Sequence, residues 1–437
     1  MKNRIGIRRE NKDKTEKRTP LIPEHVKKLI KDYQLEIQVE SSPNRIYTAE
    51  EYQRAGATIV ENLQDCNIIF GVKEIPTTNL VPGQAYCFFS HTIKGQSFNM
   101  PMLKRMLDLR DTLIDYEKVV DKDGKRLIFF GRFAGYAGMI DTFWALGRRL
   151  DWQGTKNPFS TIRQALNYNS LNEAKEAIRE MGKQIGQVGF EKSLSPVIFG
   201  FTGYGQVSKG AQEIFDLLPF QEIQPDEFIQ FIKNAHYSDR IIYKVEFREK
   251  NMFEPIDPKG KFVLKDYYAN PERYQSIFNQ YLPFFTAVVN GIYWEPKYPR
   301  LVTKEWLAEN FTQEKSPKLK VIADISCDVD GSIECTTKAT NSANPVYVYD
   351  PITGKSVDGV EGRGPVVLAV DKLPAELPHE ASKTFGNFLL PFVPLLARAD
   401  FETPFENLAI PPEFIPAVIA HKGRLTPSYQ YLGRHIK

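Results

Sequence analysis

Residues 196–211, Pro196-Val-Ile-Phe-Gly-Phe-Thr202 running into Gly203-Tyr204-Gly205-Gln206-Val207-Ser208-Lys209-Gly210-Ala211, decide the fold. An apolar run of strand length meets a turn with two glycines, and a helical pattern over 206–217 follows at once. Strand, Gly-rich turn and helix in that order form the context in which a dinucleotide is held. Gly203 permits the tight turn. Gly205 lets main-chain N–H groups approach a pyrophosphate, which the helix N-terminus favours. The third small position is Ser208 rather than Gly, which predicts a looser approach of helix to strand. A carboxylate ending the next strand usually meets the ribose. That strand is predicted at 220–224, and its end offers Gln224, with Asp226 and Glu227 beyond Pro225. NAD and NADP both stay open; Lys209 faces either a 2′-phosphate or water.

Later strands of the same domain are predicted at 240–247, 286–291, 318–324 and 365–370, and a helix at 171–185 precedes it. Upstream, strand-like and helix-like segments alternate through the first 130 residues. Strands are expected at 4–9, 35–40, 67–72, 85–90, 112–119 and 126–132. The helices are Pro23–Tyr33, with Val26, Leu29 and Ile30 on one face, a segment capped by Thr48 and ending at Ala57, and 99–109. Alternation of this kind builds a mostly parallel sheet covered by helices. A long helix is expected at 135–150, and another at 379–396 carries the chain away. The last forty residues read as Pro-rich connections and short turns. The expected division is 1–135 with 376–437 as one domain and 136–375 as the other.

Composition agrees with an ordinary two-domain protein: 437 residues, 42% hydrophobic, 25% charged. A net charge of +3, evenly spread, argues against a nucleic-acid or anionic-membrane partner. Cys66, Cys87, Cys327 and Cys335 form no CxxC and have no histidine at zinc-ligand spacing. They read as reduced thiols, and no metal site is expected. The opening MKNRIGIRRENKDKTEKR lacks an apolar secretory run, and no apolar stretch is long enough to span a bilayer, so a cytoplasmic location is expected.

Polar residues gather at the predicted strand ends of the first domain, where open α/β sheets place ligands. Arg18 precedes the first helix; Lys73 and Glu74 end one strand; His91, Lys94 and Gln96 follow the next; Glu117 and Arg126 flank a hairpin turn. A lysine in such a place loses basicity by desolvation, and a histidine titrates near neutrality unaided, so both suit proton transfer. Carboxylates such as Glu74 and Glu117 push the other way. Taken singly, each residue has an ordinary structural explanation.

Taken together, GVKEIP (71–76), FFSHTIKGQ (88–96) and LIDYEKVVDKDGKRLIFFGRFAGYAGM (113–139) resemble the lysine-forming saccharopine dehydrogenases. They are closer still to the lysine–ketoglutarate reductase half of aminoadipic semialdehyde synthase. The resemblance begins at IGIRRENKDKTEKRTPLIPEHV (5–26) and IYTAEEYQRAGA (46–57). It continues through FTGYGQVSKGAQEIF (201–215), NGIYWEPKYPRLVT (290–303), ADISCDVDGSIE (323–334) and VDKLPAELPHEAS (370–382), in order. The wider superfamily is that of alanine dehydrogenase and the transhydrogenase NAD-binding subunit. The resemblance implies two Rossmann-like α/β domains separated by a cleft: a flavodoxin-like substrate domain and a dinucleotide-binding domain that close over the substrate. It makes Lys73 and His91 the acid–base pair and Glu74 and Glu117 the carboxylates that adjust them. Arg18, Lys94, Gln96, Arg126 and Phe130 then hold the substrate. Gly203, Tyr204 and Gly205 form the phosphate turn, and Asp324, Ile325 and Ser326 a loop at the nicotinamide half. Arg132 stands where an uncharged residue is usual, and the synthase's second dehydrogenase domain has no counterpart in these motifs.

The activity so implied is NAD(P)-dependent interconversion of saccharopine with L-lysine and 2-oxoglutarate. An alanine dehydrogenase or opine-type enzyme on the same scaffold would need fewer carboxylate clamps. A non-catalytic nucleotide or lysine sensor would not need Lys73 and His91. Homo-oligomers occur among the alanine dehydrogenase relatives, and the resemblance leaves assembly open for this chain.

Overall fold

The computed structural model describes residues 3–11, 15–234, 236–312 and 317–436. They divide into two compact units, 1–130 with 378–437, and 131–377.

The first unit is built on β1 (Arg4–Ile7), β2 (Glu36–Glu40), β3 (Thr58–Val60), β4 (Ile68–Phe70), β5 (Ala85–Phe88) and β6 (Thr112–Asp115), all parallel in the order β3-β2-β1-β4-β5-β6. Every residue of β4, β5 and β6 is buried, as expected for parallel strands covered on both faces. Helix α1 (Pro23–Tyr33) starts on Pro23 and buries His25, Val26 and Leu29. Helix α2 (Ala49–Arg54) opens with a reciprocal cap: the Thr48 hydroxyl accepts the Glu51 N–H, and the Glu51 carboxylate accepts the Thr48 N–H. Helix α3 (Met100–Asp108) follows β5.

Two expectations fail here. The strand at 112–119 stops at Asp115, because the Asp115 carboxylate accepts the Glu117 N–H at 2.8 Å and turns the chain into a 3-10 segment, Tyr116–Lys118. The run 126–132 is not a strand; only a single bridge joins Arg126 to Val120. Its β-prone aromatics face other partners, Phe129 against Phe388 and Phe130 stacked on Phe385 at 4.6 Å.

The second unit starts with α4 (Gly131–Trp152) and α5 (Leu171–Val188). Then come β7 (Ile198–Thr202), α6 (Gln206–Phe215), β8 (Phe220–Glu222), α7 (Pro225–Asn234) and β9 (Ile242–Phe247). A two-stranded ribbon of β10 (Phe253–Pro255) and β11 (Tyr274–Ser276) interrupts the pattern. β12 (Ala287–Asn290), β13 (Val321–Asp324), β14 (Val346–Asp350), β15 (Lys355–Asp358) and β16 (Val366–Leu368) complete a sheet ordered β8-β9-β7-β12-β13-β16-β14-β15. It is parallel from β8 to β16; β14 and β15 add an antiparallel edge. Helices α4 and α6 cross on glycine. A Cβ on Gly135 would collide with the Val207 carbonyl oxygen, and one on Gly210 with the Arg132 carbonyl oxygen.

The chain then returns to the first unit. One long helix was expected over 379–396; two form, Pro378–Leu389 and Val393–Arg398, separated where Pro391 lacks the N–H a continuous helix needs. The last forty residues also hold more than turns. β17 (Val418–His421) pairs antiparallel with β6, and β18 (Arg424–Leu425) with β17, so the return segment completes the first sheet.

Candidate active site

In the first unit the chain leaves β4 through Gly71 and Val72 to Lys73, half-buried, and Glu74, buried. It leaves β5 through Phe89 and Ser90 to His91. His91 adopts a left-handed conformation (φ 49°), uncommon for a side chain with a Cβ and a form of backbone strain that clusters at functional positions. Its Nδ1 lies 2.8 Å from Glu74 Oε1. The Asn99 amide holds the pair by donating to Glu74 Oε1 (3.3 Å) and to the carbonyls of Ser90 (3.1 Å) and His91 (3.2 Å). Asp115, at the end of β6, ties the neighbouring loops: its carboxylate accepts the Ser90 and Glu117 N–H groups. Burial pushes the Asp115 pKa up, against the hydrogen bonds from Ser90 and Glu117.

Aromatic rings form the floor. Phe89 stacks parallel to the His91 imidazole, centroids 6.3 Å apart, carries the Arg126 guanidinium at 5.2 Å, and meets Phe130 at 6.0 Å. Phe130, between Phe89 and Phe385, carries the Arg18 guanidinium at 4.3 Å. The structure therefore brings His91, Glu74, Arg126, Phe130 and Arg18 together. Arg18 is buried and doubly bound to Glu16, Nε to Oε1 at 2.8 Å and Nη2 to Oε2 at 2.6 Å. Burial alone would raise the Glu16 pKa; the charge and hydrogen bonds of Arg18, with Lys73 adding to them, hold it low. Lys73 thus stands within electrostatic reach of Glu16. Burial lowers the Arg126 pKa, and Glu117 and Asp115 oppose that shift. Lys94 is exposed, and Gln96 accepts the Lys94 N–H at 3.0 Å, so Gln96 shapes that turn. Phe89, Phe385 and Glu16 were missed in the sequence. Phe89 and Glu16 lie two residues from His91 and Arg18, which is the signal they offered; Phe385 is too distant along the chain to signal anything.

In the second unit Gly203 is left-handed (φ 84°) and Gly205 caps α6. Ser208, expected to loosen the packing, is buried, because Gly291 at the end of β12 supplies the missing space: a Cβ there would lie 3.3 Å from the Ser208 nitrogen. Gln224 is not beside the turn. β8, which it follows, is the sheet edge, and the neighbour of β7 is β9. Just past the end of β9 comes Glu249, whose carboxylate accepts the Tyr268 hydroxyl at 2.6 Å and that of Tyr204 at 3.4 Å. A cavity of about 340 Å³ lies there, lined by Gly203, Tyr204, Gly205, Glu249, Tyr268 and Gly291 among others. Arg132 pairs with Glu213 across the α4–α6 crossing, which absorbs its charge.

Asp324 is buried at the end of β13. It accepts the Asn290 amide (2.8 Å) and the Thr336 hydroxyl (2.7 Å), and Asn290 in turn accepts the Thr202 hydroxyl (2.6 Å). Burial pushes the Asp324 pKa up to about 6. Ile325 packs under Gly138, and the Ser326 hydroxyl donates to the Ile292 carbonyl at 2.6 Å. These three side chains tie strand ends together. Among the described residues, no cluster of side chains fit to hold a metal occurs, and no helix is long and apolar enough to cross a membrane.

Residues 6–137 match the family model "Alanine dehydrogenase/PNT, N-terminal domain". Over 98% of its length the chain is 37% identical to the alpha-aminoadipic semialdehyde synthase of Arabidopsis thaliana and to the mitochondrial protein of that name from Bos taurus. It spans less than half of either relative, 41% and 47%. The saccharopine dehydrogenase [NAD(+), L-lysine-forming] of Emericella nidulans is 28% identical, with 89% of this chain and 91% of that protein aligned. Among solved structures, an L-alanine dehydrogenase matches with a TM-score of 0.64 at 17% identity, covering 99% of this chain and all of that one. A transhydrogenase from Sinorhizobium meliloti matches with a TM-score of 0.54 at 14% identity, covering 97% of this chain and all of that one. The fold is that of alanine dehydrogenase, two Rossmann-like α/β domains.

Proposed function

We propose that this homologue of the alpha-aminoadipic semialdehyde synthases and lysine-forming saccharopine dehydrogenases is an NAD(P)-dependent oxidoreductase. It interconverts saccharopine with L-lysine and 2-oxoglutarate. The observation that carries the reading is the His91–Glu74 contact of 2.8 Å on the same aromatic floor as Arg18 and Arg126. One end of the site moves protons, and the other receives carboxylates.

A dinucleotide fits the second unit. Gly203 gives the left-handed turn, and a Cβ on Gly205 would meet nothing within 4 Å, so the approach to the α6 N-terminus is open. The nicotinamide, when bound, takes up or returns the hydride of the carbon joined to the secondary amine. Glu249, a carboxylate just past β9, takes the ribose in place of Gln224, whose strand lies at the sheet edge.

Oxidation of the amine leaves an imine; water adds, and the carbinolamine collapses to lysine and 2-oxoglutarate. Each stage moves a proton. With Nδ1–H donated to Glu74, His91 presents Nε2, and His91 exchanges protons with water and the carbinolamine. Lys73 serves the amine and imine. Arg18 and Arg126 grip substrate carboxylates with planar forks that a lysine lacks.

The test is oxidation of NADH and of NADPH with lysine plus 2-oxoglutarate, against ornithine, alanine or ammonia and against pyruvate or glyoxylate. The highest kcat/KM is expected for lysine with 2-oxoglutarate. Preference for ammonia and pyruvate would make it an alanine dehydrogenase; no turnover with any pair would leave a sensor.

A further inference from the structure

Past the end of β4 the peptide N–H groups of Val72 and Lys73 point to no neighbouring strand; both donate to one side chain. Glu10, buried after β1, accepts Val72 N–H on Oε1 at 2.8 Å and Lys73 N–H on Oε2 at 3.0 Å. Arg8, also buried, approaches Oε2 with Nη1 at 3.4 Å and holds Asn11 Oδ1 with Nη2 at 2.6 Å. Arg8 can lie there because residue 71 is glycine: a Cβ would stand 2.9 Å from Arg8 Cδ.

A buried carboxylate is a costly way to satisfy two peptide groups, which a neutral amide or a water would serve at less cost. Both oxygens accept hydrogen bonds; burial pushes the Glu10 pKa up, and Arg8 and the two peptide N–H groups oppose that shift. The charged groups that act on it are Arg8, Glu16 and Arg45, with Glu16 in turn acting on Lys73 and Arg18. Glu10 thereby holds the two peptide groups through which Lys73 leaves the strand.

We propose that Glu10, braced by Arg8 over Gly71, is a positioning residue for Lys73, holding the main chain so that the lysine stands where its proton transfer needs it. This rests on the proposed role of Lys73. It predicts that Glu10→Gln, which keeps one acceptor but sets an NH2 against the other N–H, lowers kcat roughly 10–100-fold, the cost of a small misplacement. KM for 2-oxoglutarate should change less than about twofold, since Arg18 and Arg126 are untouched.

A second readout needs no substrate: the rate at which trinitrobenzenesulfonate labels Lys73 at fixed pH, read by peptide mass spectrometry. It should differ severalfold from wild type in Glu10→Gln, because the lysine then leaves the strand along a different path. Gly71→Ala, which displaces Arg8 without touching Lys73, should move both readouts in the same direction by less, and it decides the matter if Glu10→Gln does not fold. Wild-type kcat and labelling rate in the folded variant would overturn the proposal. If no amine and oxo-acid pair turns over while the labelling still shifts, the saccharopine reading falls and the positioning role stands.

Discussion

Nδ1 of His91 lies 2.8 Å from Oε1 of Glu74, and that contact determines which proton His91 can move. The carboxylate keeps the hydrogen on Nδ1, so the lone pair at Nε2 is free to act as a base. Removing either proposed acid–base group should therefore strike turnover rather than folding. His91→Ala and Lys73→Met are each expected to lower kcat by roughly 10²–10⁴-fold, the usual contribution of a positioned acid or base. Alanine keeps the Cβ that makes a left-handed conformation uncommon, so His91→Ala leaves that backbone cost as it is and its thermal midpoint should change little. Wild-type turnover in both variants would remove the pair from the mechanism.

Arg18 sits between a carboxylate and a ring. Glu16 takes two of its N–H groups and Phe130 takes its face. A lysine reproduces the charge but neither the fork nor the stacking plane. Charged hydrogen bonds are worth about 1.5–3 kcal/mol each. Arg18→Lys should accordingly raise KM for 2-oxoglutarate by roughly tenfold or more, with a smaller effect on kcat. Steady-state kinetics at saturating dinucleotide measures this, and an unchanged KM would take Arg18 out of the pocket.

Glu249 meets two tyrosine hydroxyls at the mouth of the glycine turn. As the proposed ribose acceptor it should matter for the dinucleotide alone. Glu249→Gln is expected to raise KM for NADH or NADPH by roughly 10–150-fold, the range of one hydrogen bond to a charged group at about 1.5–3 kcal/mol, and to leave KM for lysine unchanged. Equal rises for all substrates would point to a structural role instead.

The sequence exposed those features whose cause is local. Thr48 caps α2 because the hydroxyl and Glu51 lie three residues apart, and Pro23 opens α1 because its missing N–H is not needed there. The glycine turn was legible for the same reason: φ 84° at Gly203 is a property of one residue. Features settled by distant partners stayed hidden. The run 126–130 has every local mark of a strand, yet Phe129 and Phe130 pack on Phe388 and Phe385, some 255 residues away. Gln224 looked like the end of the second strand because chain order was read as sheet order, whereas β9 intervenes between β8 and β7. β17 escaped because four buried residues between prolines carry no period of their own. In the site, the polar residues could be marked by their strand ends, but the floor that joins them could not.

The α4–α6 crossing gives a stability prediction independent of chemistry. Gly135 faces the Val207 carbonyl and the Ala211 nitrogen, both main-chain atoms that cannot swing aside. In an ordinary exposed helix, replacing glycine with alanine gains up to about 1 kcal/mol. Here overpacking should outweigh that gain, and Gly135→Ala is expected to lose about 1–3 kcal/mol. Urea unfolding would read it as a lower midpoint with an unchanged slope. A midpoint at or above wild type would mean the helices separate at little cost.

Asp324 links stability to pH. Burial raises its pKa from 3.8 to about 6. Between those values the folded state binds more protons than the unfolded one, so the contribution of this group falls as pH rises from about 4 to about 6. The full loss is about 3 kcal/mol at 1.36 kcal/mol per pKa unit. Asp324→Asn does not titrate. Its carboxamide oxygen still accepts the Asn290 amide, and the Thr336 hydroxyl can rotate to accept from the new NH2 group. The variant should therefore gain on wild type as pH increases, by up to that amount between pH 4 and pH 7. Denaturation midpoints of both proteins across this range measure the difference. Parallel curves would mean that Asp324 is ionised in the fold at pH 4, with its cost of burial met by Asn290 and Thr336.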